Sequence, residues 1–175
     1  MKPAPTGRAA ALAAALLLAA CSPTLDWRQV RPEDSGIEAL FPCKPLTHAR
    51  TVPLAGTPTR MMLYACTTDG MTFALTYAEL DDPARVTPAL EALRAAASAN
   101  LDGQETLLGP AEVPGMTPNP AALRLSVQGR RPDGGALAQQ LVLFAHGTRV
   151  FQASVIGAQP EDEPVATFLA GLRRP

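Results

Sequence analysis

An antiparallel β-sheet with helices packed on it, the α+β class, is the fold this sequence predicts, and three observations carry the prediction. From Ala122 to Ile156, three runs of alternating apolar and polar residues are separated by turn-forming residues, the period-2 signal of a strand meander. Asp69-Gly70 joins two more such runs, and both central positions of a tight hairpin turn favour positive φ. Two stretches, Val86 to Leu101 and Pro160 to Arg174, place apolar residues at helical spacing instead. The order is therefore strands, a helix, more strands and a closing helix, with the helices expected to cover one face of the sheet.

Taken in order, the chain begins with Lys2 and Arg8, then an unbroken Ala/Leu run from Ala9 to Ala20 that closes on Leu18-Ala19-Ala20-Cys21. Twelve helical residues reach about 18 Å, well short of the roughly 30 Å hydrocarbon core, so the segment suits a cleaved leader better than a membrane span. Residues 1–20 are accordingly expected to be a signal peptide. The last four positions match the lipobox: a Leu-type residue three before the cysteine, two small residues, then Cys21. The chain thus resembles bacterial lipoproteins. That resemblance implies that Cys21 is diacylated through its sulfur, that the chain is cut before it, and that Cys21 anchors the domain to a membrane facing the periplasm. Acyl chains on one residue give stable anchoring without a span. In the same family, Ser22 in place of Asp after the cysteine implies sorting to the outer membrane.

Residues 21–34 follow as lipidated N-terminus and tether, polar and carrying Pro23 and Pro32. Trp27, the only tryptophan, is expected to fill a groove on the domain, the alternative being a place among lipid headgroups. Residues 35–175 form a single domain. In it Ile37, Ala39 and Phe41 share one face of a first strand ended by Pro42. Thr47 to Val52 is a weaker strand, and Gly56-Thr57-Pro58 marks a turn. Arg60 to Cys66 and Met71 to Tyr77 flank the Asp69-Gly70 hairpin. Thr87 reads as N-cap and Pro88 as the first residue of a helix with Leu90, Leu93, Ala97 and Leu101 on its apolar stripe. Glu105 to Val113 reads as a strand interrupted at Gly109-Pro110, before a proline-rich loop. In the closing helix Val165, Phe168, Leu169 and Leu172 form the stripe. Acids stand at its start and Arg173-Arg174 at its end, each suited to the helix dipole.

Charge and cysteine content narrow the function. The leader holds two of the 15 basic residues and none of the 16 acidic ones, so the mature part carries −3. A nucleic-acid partner is therefore not expected, since binding to phosphate backbones needs basic patches. Cys43 and Cys66 are an even pair in an exported chain, most simply a disulfide, which would contribute about 3 kcal/mol by loop-closure entropy. The alternative for them is a metal site with His48 and His146, which no paired spacing supports. Both histidines read as solvated turn residues beside strand ends. No Gly-x-Ser-x-Gly elbow or phosphate loop occurs, and the clusters Glu79-Asp81-Asp82 and Glu161-Asp162-Glu163 suit helix entrances. No catalytic residue, metal or cofactor is expected.

A second resemblance rests on Gly36-Ile37-Glu38-Ala39-Leu40-Phe41-Pro42-Cys43-Lys44-Pro45, which looks like the opening of small exported proteins of the PsbP and Mog1 type. There a strand runs into Phe-Pro-x-Lys-Pro. The similar order continues through the mid-chain helix, the loop, the meander and the last helix. Cys43 between Pro42 and Lys44 departs from the usual pattern. The resemblance implies an α/β/α sandwich with a non-enzymatic binding role. The functional expectation is a membrane-anchored periplasmic lipoprotein domain that binds, or assists the assembly of, another component of the bacterial envelope. Its alternatives are a small-molecule or metal carrier and an enzyme with a cryptic site.

Overall fold

Antiparallel strands account for most of the backbone hydrogen bonding in the structure, a computed structural model that describes residues 25–175. The expected signal peptide and Cys21 lie outside the described residues. Two short strands, β1 (Arg28–Val30) and β2 (Ala39–Phe41), pair as a separate ribbon. The main sheet contains β3 (Leu46–Leu54), β4 (Thr57–Thr68), β5 (Met71–Glu79), β6 (Gln104–Pro110), β7 (Leu123–Arg130), β8 (Ala136–His146) and β9 (Arg149–Gly157). Their order across it is β3-β4-β5-β9-β8-β7-β6. The chain leaves β5 through helix α1 (Val86–Asn100), re-enters at the far edge, and winds back until β9 pairs with β5. Helix α2 (Asp162–Ala170) follows.

The Asp69-Gly70 hairpin forms as the sequence predicts. Thr68 faces Met71 in the register, and Asp69 and Gly70 have φ of 51° and 69°. The preceding turn is displaced by one residue from its expected place. Leu54 faces Thr57, so Ala55 and Gly56 occupy the turn with φ of 49° and 79°.

Both faces of the sheet's central strands are buried, each under a different helix, while the edge strands β3 and β6 stay largely exposed. On one face Ala89, Leu90, Leu93 and Ala97 of α1 pack over Leu125, Val127, Leu141, Leu143 and Val150. On the other, Val165 and Phe168 of α2, with Leu172, join Phe41 of β2 over Phe73, Phe144, Phe151 and Val155. Two helices on one face was the expectation, and it is corrected. The residues responsible are Leu141 to Ala145 in β8, five consecutive buried apolar positions whose alternate members need cover on opposite sides.

Three boundaries differ for local reasons. The first helix is entered through a 3-10 turn, Pro83–Arg85, capped by Asp82, whose Oδ1 accepts from Ala84 N at 2.8 Å. Thr87 is therefore inside the helix, and Pro88 sits in its first turn, where a missing N–H costs nothing. Strand β6 stops at Pro110 after a bulge between Leu107 and Gly109, short of the expected Val113. β1 lies within the stretch read as tether. It orders because Trp27 and Val30 pack on the core beside Phe73 and Phe41.

Candidate functional site

Of the residues singled out in the sequence, Cys43 and Cys66 are joined. The disulfide spans 23 positions, with Cα atoms 6.0 Å apart, and ties the chain just past β2 to the end of β4. That bond consumes both sulfurs and removes the alternative metal site with His48 and His146. His48 lies exposed within β3, not at a turn, and His146 is the half-buried last residue of β8, facing Arg149, rather than a solvated turn residue. Cys21 lies outside the described residues.

The structure assembles a polar cleft at the other end of the sheet from the disulfide. Cross-strand register builds its floor: Glu79 of β5 faces Arg149 of β9, which faces His146 of β8. One step inward, Met62, Tyr77, Phe151 and Phe144 form a second row, with the Phe144 and Phe151 rings stacked 4.7 Å apart. The loop between β1 and β2 closes over these rows. Arg149 reaches it through Nη1, which donates to Ser35 O at 2.9 Å. Glu33, Asp34, Arg60, Met62, Tyr77, Glu79 and Arg149 line a cleft of about 480 Å³.

Two of the charges in the cleft pair directly with each other. Arg149 bonds Glu79, and Thr148 donates to the same carboxylate. Tyr77 donates its hydroxyl to the carbonyl of Glu33, and Tyr64 stacks beside it with centroids 6.3 Å apart. Burial, with Tyr64 alongside, pushes the Tyr77 hydroxyl up to about 12, so it stays protonated and donates. Arg60 lines the cleft as an exposed cation on β4, and Nδ1 of His146 is buried without a hydrogen-bond partner. Chemically, this arrangement offers paired donors and acceptors around an apolar floor. Those groups suit reversible recognition of a polar moiety.

A second cluster locks the ribbon in place. Glu38, 3% exposed, accepts from Arg31 Nε at 2.6 Å and Arg173 Nε at 3.0 Å, with Gln29 on the same carboxylate. Burial alone would raise its pKa. The hydrogen bonds and charges of Arg31 and Arg173 prevail and hold the carboxyl below its usual range. Arg173, expected to complement a helix end, is instead the C-terminal half of this clamp.

Sequence reasoning missed the cleft, and the reason is topological. Its members come from the β1–β2 loop, β4, β5 and β9, and no short-range spacing links them. The available signal was Glu79 and Arg149, charged residues at the ends of strands otherwise reading as apolar. Compared with known proteins, the chain matches no family model and no curated protein.

Proposed function

We propose that this chain is a membrane-anchored lipoprotein domain of the bacterial envelope, held through acylated Cys21 and facing the periplasm. Its fold on this reading is the α/β/α sandwich of the PsbP and Mog1 type. Its task is non-enzymatic, binding or assisting the assembly of an envelope component, with the outer membrane as its site.

The observation that carries this reading is the Cys43–Cys66 disulfide. Such bonds persist in oxidising compartments and are rare in the cytosol, so the bond agrees with the export that the leader implies. The helices on opposite faces of one antiparallel sheet support the sandwich. The test is mass spectrometry of the mature N-terminus. Acyl chains on Cys21 and a Cys21→Ser form left uncut or soluble are expected, while an unmodified mature N-terminus overturns the reading.

The cleft favours a second reading, a carrier of a small polar ligand. Arg60→Glu reverses an exposed charge there and leaves the Arg149 pairing intact. Ligand-dependent thermal shifts across a panel of small anions and zwitterions, weakened by this substitution, would support that reading over the first.

A further inference from the structure

We infer that the disulfide end of the sheet, with Lys44 and Leu46 foremost, rests on the bilayer that holds Cys21. The inference depends on the acylation proposed above, and it adds which surface of the domain meets lipid.

Chain length sets the constraint. Only Ser22, Pro23 and Thr24 separate Cys21 from Leu25. Four Cα steps of 3.8 Å span at most about 15 Å, while each headgroup layer is roughly 5–8 Å thick. From Asp26 onward the chain is committed to the domain: Asp26 N donates to Pro42 O at 2.8 Å, and Trp27 meets Phe73 edge-on with centroids 6.1 Å apart. Pro42 is the neighbour of Cys43. The leash therefore emerges where the disulfide sits, where β3 and β5 begin and β4 ends. So short a leash leaves this end little room to stand clear of the surface.

The end itself suits that position. Leu46 opens β3 with 68% of its surface exposed, more than Leu107 or Leu108 on the opposite edge. Lys44 is exposed two residues before it. From Phe41 to Ala49, around Leu46, the chain has no Asp or Glu and carries Lys44. A basic residue near an anionic leaflet is attracted to it, and an exposed leucine gains by entering the interface. Acids also lie at this end: Asp26 is bonded to Arg28, Asp69 occupies the β4–β5 turn, and Glu161, Asp162 and Glu163 follow β9, whose Gly157 faces Met71. Resting the Lys44–Leu46 corner on lipid puts the edge strand β3 foremost and sets the contact three strands from β9, which those acids follow. It also points the polar cleft away from the membrane, open to periplasmic ligands.

The experiment uses the full chain, purified with its lipid and reconstituted in vesicles of phosphatidylethanolamine and phosphatidylglycerol. Mass spectrometry first reports the state of Cys21 and of the Cys43–Cys66 bond. A fluorophore is then placed at Leu46→Cys or at Ala84→Cys, the latter exposed in the 3-10 turn beyond β5. Quenching by lipids with nitroxide headgroups is expected to be several-fold stronger at position 46, and to weaken with Lys44→Glu. Bromine-labelled lipid should also quench Trp27 in the unsubstituted chain. Acylated Cys21 with no quenching at 46, or equal quenching at both positions, overturns this inference and leaves the anchor standing. Unacylated Cys21 overturns the anchor and this inference together.

Discussion

At the scale of single residues, backbone conformation makes the sharpest prediction. Ala55 holds φ of 49° in the β3–β4 turn, a region in which a Cβ is strained by about 1–2 kcal/mol. Its partner in the turn is Gly56, which adopts the region freely. Asn tolerates the left-handed conformation and favours the first position of such a turn. Ala55→Asn is therefore expected to stabilise the protein by about 0.5–1 kcal/mol, read as a higher thermal midpoint in calorimetry. An unchanged or lower midpoint would show that this strain is not what limits the hairpin. Asp69, with φ of 51° in the neighbouring hairpin, already has the favoured residue type, and the same substitution there offers no comparable gain.

Between elements, close approach and charge decide how the parts dock. A Cβ on Gly129 of β7 would stand 2.1 Å from the carbonyl oxygen of Leu101, which caps α1. Gly129→Ala must push the helix end off the sheet, and about 1–3 kcal/mol of destabilisation is expected, measurable by urea denaturation. Glu38 joins the ribbon to the C-terminal segment through Arg31 and Arg173, and its carboxyl is held below the ordinary value. A depressed folded-state pKa means that the unfolded chain takes up the proton first. The stabilisation is present above the unfolded value of about 4.5 and is lost as pH falls through the lower folded value. Glu38→Gln should therefore be less stable than the parent at neutral pH and lose less on acidification. Parallel slopes of unfolding free energy against pH for the two proteins would remove this account. Glu105, held low by Arg94 and Ser98 between α1 and β6, contributes acid sensitivity of the same sign.

For the whole molecule, the centre of the sheet, buried on both faces, is the source of stability, and the disulfide adds to it. The bridge closes a loop of 23 positions, which contributes about 3 kcal/mol in the chain-entropy account. Two buried clusters, one on each face, remain when it is opened. Reduction is accordingly expected to lower the unfolding midpoint while leaving a folded protein with native far- and near-ultraviolet circular dichroism. A reduced chain that is wholly unfolded would show that the clusters cannot hold the sheet alone. The two ends of the sheet also differ in character. One carries the bridge, the chain's N-terminal approach and an exposed leucine, and the other carries the paired charges of the cleft.

Local signals determined much of this architecture from sequence alone. Asp69-Gly70 specifies its hairpin because positive φ at two successive positions is a property of those residues. Alternation in Ala122 to Ile156 specifies the meander, and the stripes Leu90-Leu93-Ala97 and Val165-Phe168-Leu172 specify two helices, because side-chain periodicity is a local matter. Cys43 and Cys66 could be paired because setting Cys21 aside as the expected lipid site leaves them as an even pair. What only the tertiary structure decided is which surface each stripe covers and which polar groups meet. The separation of α1 and α2 onto opposite faces follows from β8 being apolar on both sides, which matters once its neighbours are known. Glu38 is an ordinary alternating polar residue until Arg31 and Arg173 close on it from distant parts of the chain. Glu79, Arg149 and Tyr77 meet through strand order, since β5 and β9 are neighbours in space while α1, β6, β7 and β8 lie between them in sequence, and Glu33 joins them from the β1–β2 loop.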